Sequence, residues 1–234
     1  MLLQIKNLKA KGDDKEILKG INLNLKQGEL QVLLGPNASG KSTFAKVISG
    51  NPKYKITQGE ILFNKKKITR LAPEKRTKLG IVLAWQNPPA IKGVKLSCLL
   101  EKISKTKPEN KVGIEANLLD REINVNFSGG EKKISELLQV LSLNPKLAIL
   151  DEIDSGLDLK KLEKVSQLIK NELVDKKIAV LLITHSGSIL KFLKPKITNI
   201  MLNGKIICKS KDYQKTLKVI KKYGYEKCKK CQPC

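Results

Sequence analysis

A glycine-rich stretch that ends in lysine, serine and threonine is the strongest chemical signal in the sequence. It consists of Gly35, Pro36, Asn37, Ala38, Ser39, Gly40, Lys41, Ser42 and Thr43. Its spacing, with a strand predicted before it and a helix after it, is that of a loop whose backbone N–H groups bind phosphates. Lys41 would neutralise the β- and γ-phosphates, and the Ser42 hydroxyl group would bind Mg²⁺. The alternative is a chance glycine turn, and the two flanking elements argue against it.

Two carboxylates form the second signal. Asp151 and Glu152 follow the apolar run 147–150. Because successive strand side chains point to opposite faces, the two acids can have different roles. We expect Asp151 to act in the outer shell of Mg²⁺ and Glu152 to polarise the attacking water. Such a pair could also be an ordinary solvated strand end, but together with the glycine-rich loop it predicts metal-dependent phosphoryl transfer.

Two further polar residues follow apolar runs. Gln86 comes after the run 81–85, and His185 comes after the run 178–184. In open α/β sheets the ligand lies outside the carboxyl ends of the strands, so we expect these side chains beside the phosphates. Gln86 is assigned to catalysis and to Mg²⁺ binding, and His185 to sensing the γ-phosphate. Trp85 is interpreted as a core residue rather than as a platform for a base.

A serine followed by two glycines marks a second possible anion site. Ser128, Gly129 and Gly130 stand between Phe127 and Glu131 and precede a helical pattern at 130–143. The serine hydroxyl group and the N–H groups of the helix N-terminus could bind an anion. By itself a Ser-Gly-Gly sequence is weak evidence, since it is common in loops. This site could not easily reach the nucleotide that is bound by the same chain.

The elements that must position these residues follow from the apolar pattern. Runs at 31–34, 81–85, 147–150 and 178–184 are short and continuous, which is typical of strands buried on both faces of a mainly parallel sheet. Helical patterns lie between them, clearest at Lys41–Ser49, 130–143 and 159–175. This alternation predicts an α/β fold.

Other segments surround this predicted sheet. Alternating apolar positions at 4–8, 17–25 and 60–63 predict an N-terminal antiparallel β subdomain. The lysine-rich segment after Gln86 is broken by prolines, with helical periodicity at Leu96–Ile103, and we interpret it as a small helical insertion at about residues 87–135. Asn203 and Gly204 predict a type I′ hairpin between strands at 197–201 and 205–208. A last helix is expected at 214–223.

In their order along the chain, the motifs resemble the ABC ATPase family over about residues 1–225. The resemblance implies a single P-loop NTPase domain of the ABC type that binds ATP and Mg²⁺ and hydrolyses ATP. It also implies that two copies work together. The Ser128–Gly130 motif of one copy would close over the triphosphate held by the other, and Asp158 joins the nucleotide-binding residues. Ala38 and Phe127 stand where a glycine and a leucine are common.

Within the family, residues 128–139 and 145–158 resemble the SufC branch, the ATPases of the SUF iron–sulfur cluster assembly system. Residues 45–52, 88–94 and 224–226 share this resemblance, whereas Ile134 and Ser135 depart from it. It implies that a SufB/SufD-like scaffold binds the segment after Gln86. Two alternatives remain open: the ATPase subunit of an ABC membrane importer, and a nucleic-acid-linked ABC ATPase.

Composition bears on partners and location. The net charge is +24, but the basic residues are spread along the chain and nearly all are lysines, which weighs against nucleic acid binding. No apolar run approaches the ~20 residues of a membrane span, and the N-terminus lacks a signal-peptide pattern. We therefore expect a cytoplasmic protein that meets a membrane only through a partner.

The cysteines cluster at one end. Cys228, Cys231 and Cys234 lie in the tail 226–234, at a spacing that can bind zinc or an iron–sulfur cluster. An odd total of five cysteines and the absence of a secretory signal favour reduced thiols over a disulfide framework. A fourth ligand is missing unless Cys208 or a partner supplies it, and the interpretation we prefer is a frayed, lysine-rich terminus.

Overall fold

The computed structural model describes residues 1–104 and 116–230. The strands of these residues are β1 (Leu3–Gly12), β2 (Lys15–Leu25), β3 (Leu30–Leu34), β4 (Lys55–Phe63), β5 (Lys66–Lys67), β6 (Ile81–Ala84), β7 (Leu147–Asp151), β8 (Ala179–Thr184), β9 (Ile197–Leu202) and β10 (Lys205–Ser210). The α-helices are α1 (Lys41–Ser49), α2 (Pro73–Lys78), α3 (Leu96–Ile103), α4 (Ala116–Leu119), α5 (Gly129–Ser142), α6 (Leu159–Ile169), α7 (Leu190–Leu193) and α8 (Tyr213–Tyr223).

In the described part of the chain, six strands form the core sheet, in the order β10-β9-β3-β8-β7-β6. All neighbouring pairs are parallel except β9 and β10, which form an antiparallel hairpin. Asn203 and Gly204 turn this hairpin with positive φ angles, as a type I′ turn requires. The predicted parallel sheet and hairpin are confirmed.

Both faces of this sheet are covered, which explains the continuous apolar runs. Ile149 packs into one core with α1 and the N-terminal strands, and the next residue, Leu150, packs into a second core with α5 and α6. Leu33 and Leu34 are divided between the two cores in the same way. A strand that is buried on both faces has no polar alternate positions.

A second sheet, of four strands in the described residues, has the order β2-β1-β4-β5 and is antiparallel throughout. The predicted antiparallel subdomain is therefore confirmed, with longer strands than expected. The helical insertion is also present. Its small core joins α3, α4 and α5 and includes Leu96, Leu100 and Phe127. The guanidinium group of Arg121 lies 4.5 Å from the Phe127 ring centroid.

Three expectations need correction. Trp85 is not a core residue: 53% of it is exposed, because the edge strand β6 ends one residue earlier. The helix predicted at 159–175 becomes a π-helical turn at Lys170–Val174. Residues Tyr225–Lys230 form a 3₁₀ helix whose Cys228 is 2% exposed within the second core, so the frayed-terminus interpretation is wrong for them.

Cys231 and Cys234 lie outside the described residues. Within residues 1–104 and 116–230, no group of three or more His, Cys, Asp or Glu side chains is placed to hold a metal ion. None of the helices described is both long enough and apolar enough to cross a membrane.

Candidate nucleotide-binding and hydrolysis site

The phosphate-binding loop connects β3 to α1, and its shape depends on two glycines. A Cβ atom at Gly35 would lie 2.3 Å from the Met201 carbonyl oxygen, so only glycine fits there. Gly40, directly before α1, has a φ of 103°, a conformation that L side chains rarely adopt. Ala38 takes a φ of 61°, where the glycine common at this position would be unstrained. A hydrogen bond of 3.0 Å from Gly204 N to Ser39 O ties the loop to the β9–β10 hairpin.

The N-terminus of α1 is suited to binding an anion. Gly40 has no side chain to cap the helix, and Lys41, Ser42 and Thr43 bring no carboxylate into the first turn. The first N–H groups of the helix and its positive dipole end are therefore directed at the loop.

Lys41 is placed for the same anion. Its ammonium group donates hydrogen bonds of 2.8 Å to the carbonyl oxygens of Gly35 and Pro36. Because an ammonium group has three donors, one N–H is left for a phosphate. Burial lowers the pKa of Lys41, and the negative charges of Glu152 and Asp151 oppose this shift.

The loop opens into a cavity of about 550 Å³. Its wall combines the phosphate-binding loop with three of the residues predicted at strand ends and with one aliphatic residue of β2. The lining residues are Ile17, Asn37, Ala38, Ser39, Gly40, Lys41, Ser42, Thr43, Gln86, Glu152 and His185. Ile17 was not expected from the sequence, because a single isoleucine in an alternating strand carries no functional signal.

Glu152 lies at the centre of the three strand-end side chains. The Gln86 amide nitrogen donates a short hydrogen bond to Glu152 Oε2, and His185 Nδ1 lies 3.6 Å from Glu152 Oε1. Glu152 has a φ of 52°, which is strained for a residue with a side chain and typical of functional sites. A carboxylate held between an amide and an imidazole is suited to accepting a proton from water.

The surroundings of Asp151 show whether the residues present fit a metal ion. It is 3% exposed, the nearby Ser42 side chain lowers its pKa, and its Oδ1 atom has no hydrogen-bond partner among the described residues. Burial raises the pKa of Asp151 in spite of the opposing effects of Ser42, Lys41 and Lys46, which is the expected response of a carboxylate removed from water. The oxygens of Asp151, Ser42 and Gln86 are ligands of the kind that Mg²⁺ prefers, so these residues fit Mg²⁺.

Ser128 and its neighbours lie elsewhere. Ser128 is the exposed N-cap of α5: its hydroxyl oxygen accepts a 3.3 Å hydrogen bond from Glu131 N, and its own N–H donates to Glu131 Oε2 at 2.6 Å. Asp158 is the exposed N-cap of α6 and accepts from Lys161 N. In the described structure, Ser128, Gly129, Gly130 and Asp158 do not line the cavity.

Two buried residues of α5 hold the segment around Gln86, and sequence reasoning missed them. Lys133 Nζ donates to Gln86 O at 2.9 Å, and Glu136 Oε1 accepts from Trp85 N at 2.8 Å. They are 6% exposed each, and their i, i+3 spacing places them on one face of the helix. This spacing was the only sequence feature that could have identified the two residues. It was not used, because a lysine and a glutamate three residues apart usually form a pair on the surface.

Asp154 holds the loop that carries His185. Its Oδ2 atom accepts hydrogen bonds from the hydroxyl groups of Thr184, at 2.8 Å, and Ser186, at 3.0 Å. Asp154 is 6% exposed. Nothing in the sequence distinguishes this residue from the neighbouring acids, because its two partners are more than 25 residues away.

The chain is similar to known proteins in both sequence and fold. The ABC transporter family model matches residues 18–155. A probable ATP-dependent transporter (ycf16) from Cyanophora paradoxa is 42% identical over 226 residues, which cover 88% of this chain and 87% of the relative. A probable ABC transporter ATP-binding protein from Streptococcus pyogenes serotype M3 is 41% identical over 224 residues, with 88% and 87% covered. A solved nucleotide-free ATP-binding cassette from an ABC transporter has the same fold, with a TM-score of 0.80, 23% identity and 99% of both chains covered.

Proposed function

Because the chain belongs to the ABC transporter family and is an ATPase of the ABC type, we propose that it is the ATPase subunit of a SUF-type iron–sulfur cluster assembly machine. In this proposal, ATP drives two copies together, and their movement changes the shape of a bound SufB/SufD-like scaffold. The observation that carries the proposal is an exposed apolar surface beside Gln86, joined to the nucleotide site through α5. A cytoplasmic location is part of this proposal.

The residues of the cavity and the neighbouring Asp151 have different roles in hydrolysis. The N-terminus of α1 and Lys41 bind the phosphates, and Mg²⁺, held by Ser42, Asp151 and Gln86, would neutralise part of their negative charge. Glu152 polarises the water that attacks the γ-phosphate. His185 contacts the γ-phosphate and senses whether it is present. Positioning of this kind, rather than covalent chemistry, is the main contribution of a protein to phosphoryl transfer.

A second copy of the chain would complete the site. Because the Ser128 hydroxyl oxygen accepts the Glu131 N–H, its own hydrogen remains available as a donor to an anion. Ser128 and Gly129 are exposed, and neither lines the cavity of its own chain. We therefore assign Ser128, Gly129, Gly130 and Asp158 to the ATP that is held by the other copy.

The residues that resemble the SufC branch support the choice of partner. Lys133 and Glu136 belong to the stretch in which this chain differs from the usual transporter pattern, and their side chains bond to the backbone of Gln86 and Trp85. A movement of the segment after Gln86 would thus be passed directly to α5, whose N-terminus carries Ser128. Such a connection is what an ATPase needs to respond to a scaffold.

The surface next to this connection has the character of a binding site. Trp85 is 53% exposed, and Ile91, Val94 and Leu143 are also exposed apolar residues. Trp85 and Leu143 line one cleft together with residues of the edge strand β6. Exposed apolar patches of this kind mark protein–protein contacts, and the net charge of +24 favours an acidic partner.

A second candidate function is the ATPase subunit of an ABC membrane importer. The descriptions of both curated relatives as transporter proteins favour it. Its partner would be a polytopic permease that binds the same exposed surface. The two functions therefore differ in the partner and not in the chemistry of the site.

The partner is tested with the purified SufB/SufD-like scaffold of the same organism. We expect the scaffold to bind the wild-type chain and to bind Trp85→Asp at least ~100-fold more weakly, as for the loss of an aromatic anchor. Tyr223→Asp is the matched control, because Tyr223 is also an aromatic residue about half exposed, at 54%. Unchanged scaffold affinity of Trp85→Asp, or capture of a permease instead of the scaffold, would contradict the proposal.

A further inference from the structure

The C-terminal 3₁₀ helix reaches the nucleotide site through a single tyrosine. The Tyr225 hydroxyl group donates a hydrogen bond of 2.8 Å to the main-chain oxygen of His185. The backbone of Gly35 lies close enough to this hydroxyl group to lower its pKa. Gly35 and His185 directly follow β3 and β8, whose last residues, Leu34 and Thr184, are paired in the sheet. One hydroxyl group is therefore bonded to the residue assigned to the γ-phosphate and lies beside the first residue of the phosphate-binding loop.

Tyr225 is held in place by packing. It follows Gly224, which ends α8 with a φ of 71°, and it packs against the second core, in which Cys228 is 2% exposed. Helix α8 contacts the same loop at another point: a Cβ atom added at Gly187 would lie only 2.8 Å from a Leu217 methyl group. The C-terminal elements thus touch the His185 loop both before and after Ser186.

The segment after β7 also contacts this loop. Asp154 accepts hydrogen bonds from the side chains of Thr184 and Ser186, the two neighbours of His185. The His185 side chain itself is 44% exposed, so packing does little to fix it. Apart from its 3.6 Å contact with Glu152, its position depends on the backbone, and among the described residues the hydrogen bond from Tyr225 is the one that acts on the carbonyl group of His185.

We propose that Tyr225 is a positioning residue for ATP hydrolysis, which holds the His185 loop against the phosphate-binding loop. This inference rests on the role proposed above for His185, and it makes the C-terminal segment a part of the ATPase machinery. Burial raises the pKa of Tyr225, with Cys228 as a further cause, so its hydroxyl group keeps its proton and remains a donor at neutral pH.

Tyr225→Phe removes the hydroxyl group and keeps the ring. We expect kcat for ATP hydrolysis to fall about tenfold, the scale of one lost hydrogen bond, while KM for ATP changes less than about twofold. A mainly structural role would instead lower the amount of folded protein and leave kcat per folded molecule unchanged. Tyr223→Phe is the matched control: this neighbouring tyrosine is 54% exposed, and we expect wild-type kinetics.

A double-mutant cycle with His185→Ala separates this inference from the proposed function. If Tyr225 acts through His185, Tyr225→Phe causes no further loss of kcat in the His185→Ala background. An equal tenfold loss in both backgrounds, or a wild-type kcat for Tyr225→Phe alone, overturns the inference while His185 keeps its role. Full activity of His185→Ala overturns the proposed role of His185 itself, and this inference with it.

Discussion

At the scale of single residues, the site contains a buried carboxylate whose environment favours the neutral form. Asp151 is 3% exposed, and its Oδ1 atom lacks a hydrogen-bond partner among the residues described. Burial raises its pKa, so the folded chain binds a proton more tightly than the unfolded chain. This unfavourable burial fits a carboxylate that serves a cation, and functional sites often reduce stability in this way.

Asp151→Asn should therefore stabilise the protein in the absence of nucleotide. We expect the free energy of unfolding at pH 7 to rise by about 1 kcal/mol, because the variant no longer buries a charge. Because the pKa of Asp151 is higher in the folded state than in the unfolded state, the stability of wild type falls as the pH rises above the unfolded-state pKa. The stability difference between the variant and wild type should therefore shrink as the pH is lowered toward about 4.

With Mg²⁺ and ATP added, wild type should become more stable than Asp151→Asn. Wild type gains stability in proportion to its affinity for the ligand, and the variant gains much less. Urea unfolding at several pH values, with and without Mg²⁺ and ATP, measures both effects. A variant that is less stable than wild type without ligand at pH 7 would contradict this account of Asp151.

At the scale of the elements, α1 carries Lys41 at its first position and depends on a residue near its other end. Arg76 of α2 is 2% exposed and donates hydrogen bonds to four carbonyl groups, of Val47, Ile48, Thr69 and Leu71. Two of these carbonyls are in the last turn of α1, where helices leave such groups unpaired. Burial lowers the pKa of Arg76 to about 10, so the guanidinium group is still charged at pH 7.

Arg76→Lys should lower the free energy of unfolding by about 2–3 kcal/mol, because an ammonium group cannot reach all four carbonyls and leaves some of them unpaired. Arg70→Lys is the control, since Arg70 is exposed, and we expect a change within about 0.5 kcal/mol. Chemical denaturation of both variants makes the comparison. Equal stabilities of the two would show that Arg76 does not support α1.

Some of the helices and strands could be predicted from the sequence, and others could not. Helix α1 and the strands around it follow from local patterns, because a strand buried on both faces is continuously apolar and a phosphate-binding loop has a fixed spacing. Helix α2 was not predicted, since Pro73–Lys78 has no apolar periodicity. Trp85 was misassigned because hydrophobicity predicts burial, whereas the residue follows an edge strand and faces outward.

Most of the candidate site was also predictable, since its residues follow the carboxyl ends of parallel strands. Gln86, Glu152 and His185 line one cavity with the phosphate-binding loop, although they are far apart in the sequence. The residues that hold these side chains in place could not be predicted from the sequence. The hydrogen bond from Tyr225 to His185 joins residues 40 positions apart, and only the tertiary packing of the C-terminal segment creates it.

At the scale of the whole molecule, the two groups of residues that we propose to bind ATP do not meet within one copy. The phosphate-binding loop opens into the cavity with Glu152, while Ser128 lies exposed at the N-terminus of α5. Two copies arranged about a twofold axis could pair each loop with the Ser128 of the other, which gives two complete sites in a closed dimer. ATP would then hold the two copies together, and hydrolysis would release them.

Sedimentation of Glu152→Gln tests this claim most directly. The substitution should leave ATP binding intact and reduce hydrolysis at least ~100-fold, the scale for loss of a general base, so that any ATP-bound dimer accumulates. We predict a monomer without nucleotide, a dimer with Mg²⁺ and ATP, and a monomer again when Ser128→Arg is added, although ATP still binds. A Glu152→Gln variant that stays monomeric at saturating ATP, or a double variant that dimerises equally well, would contradict the shared site.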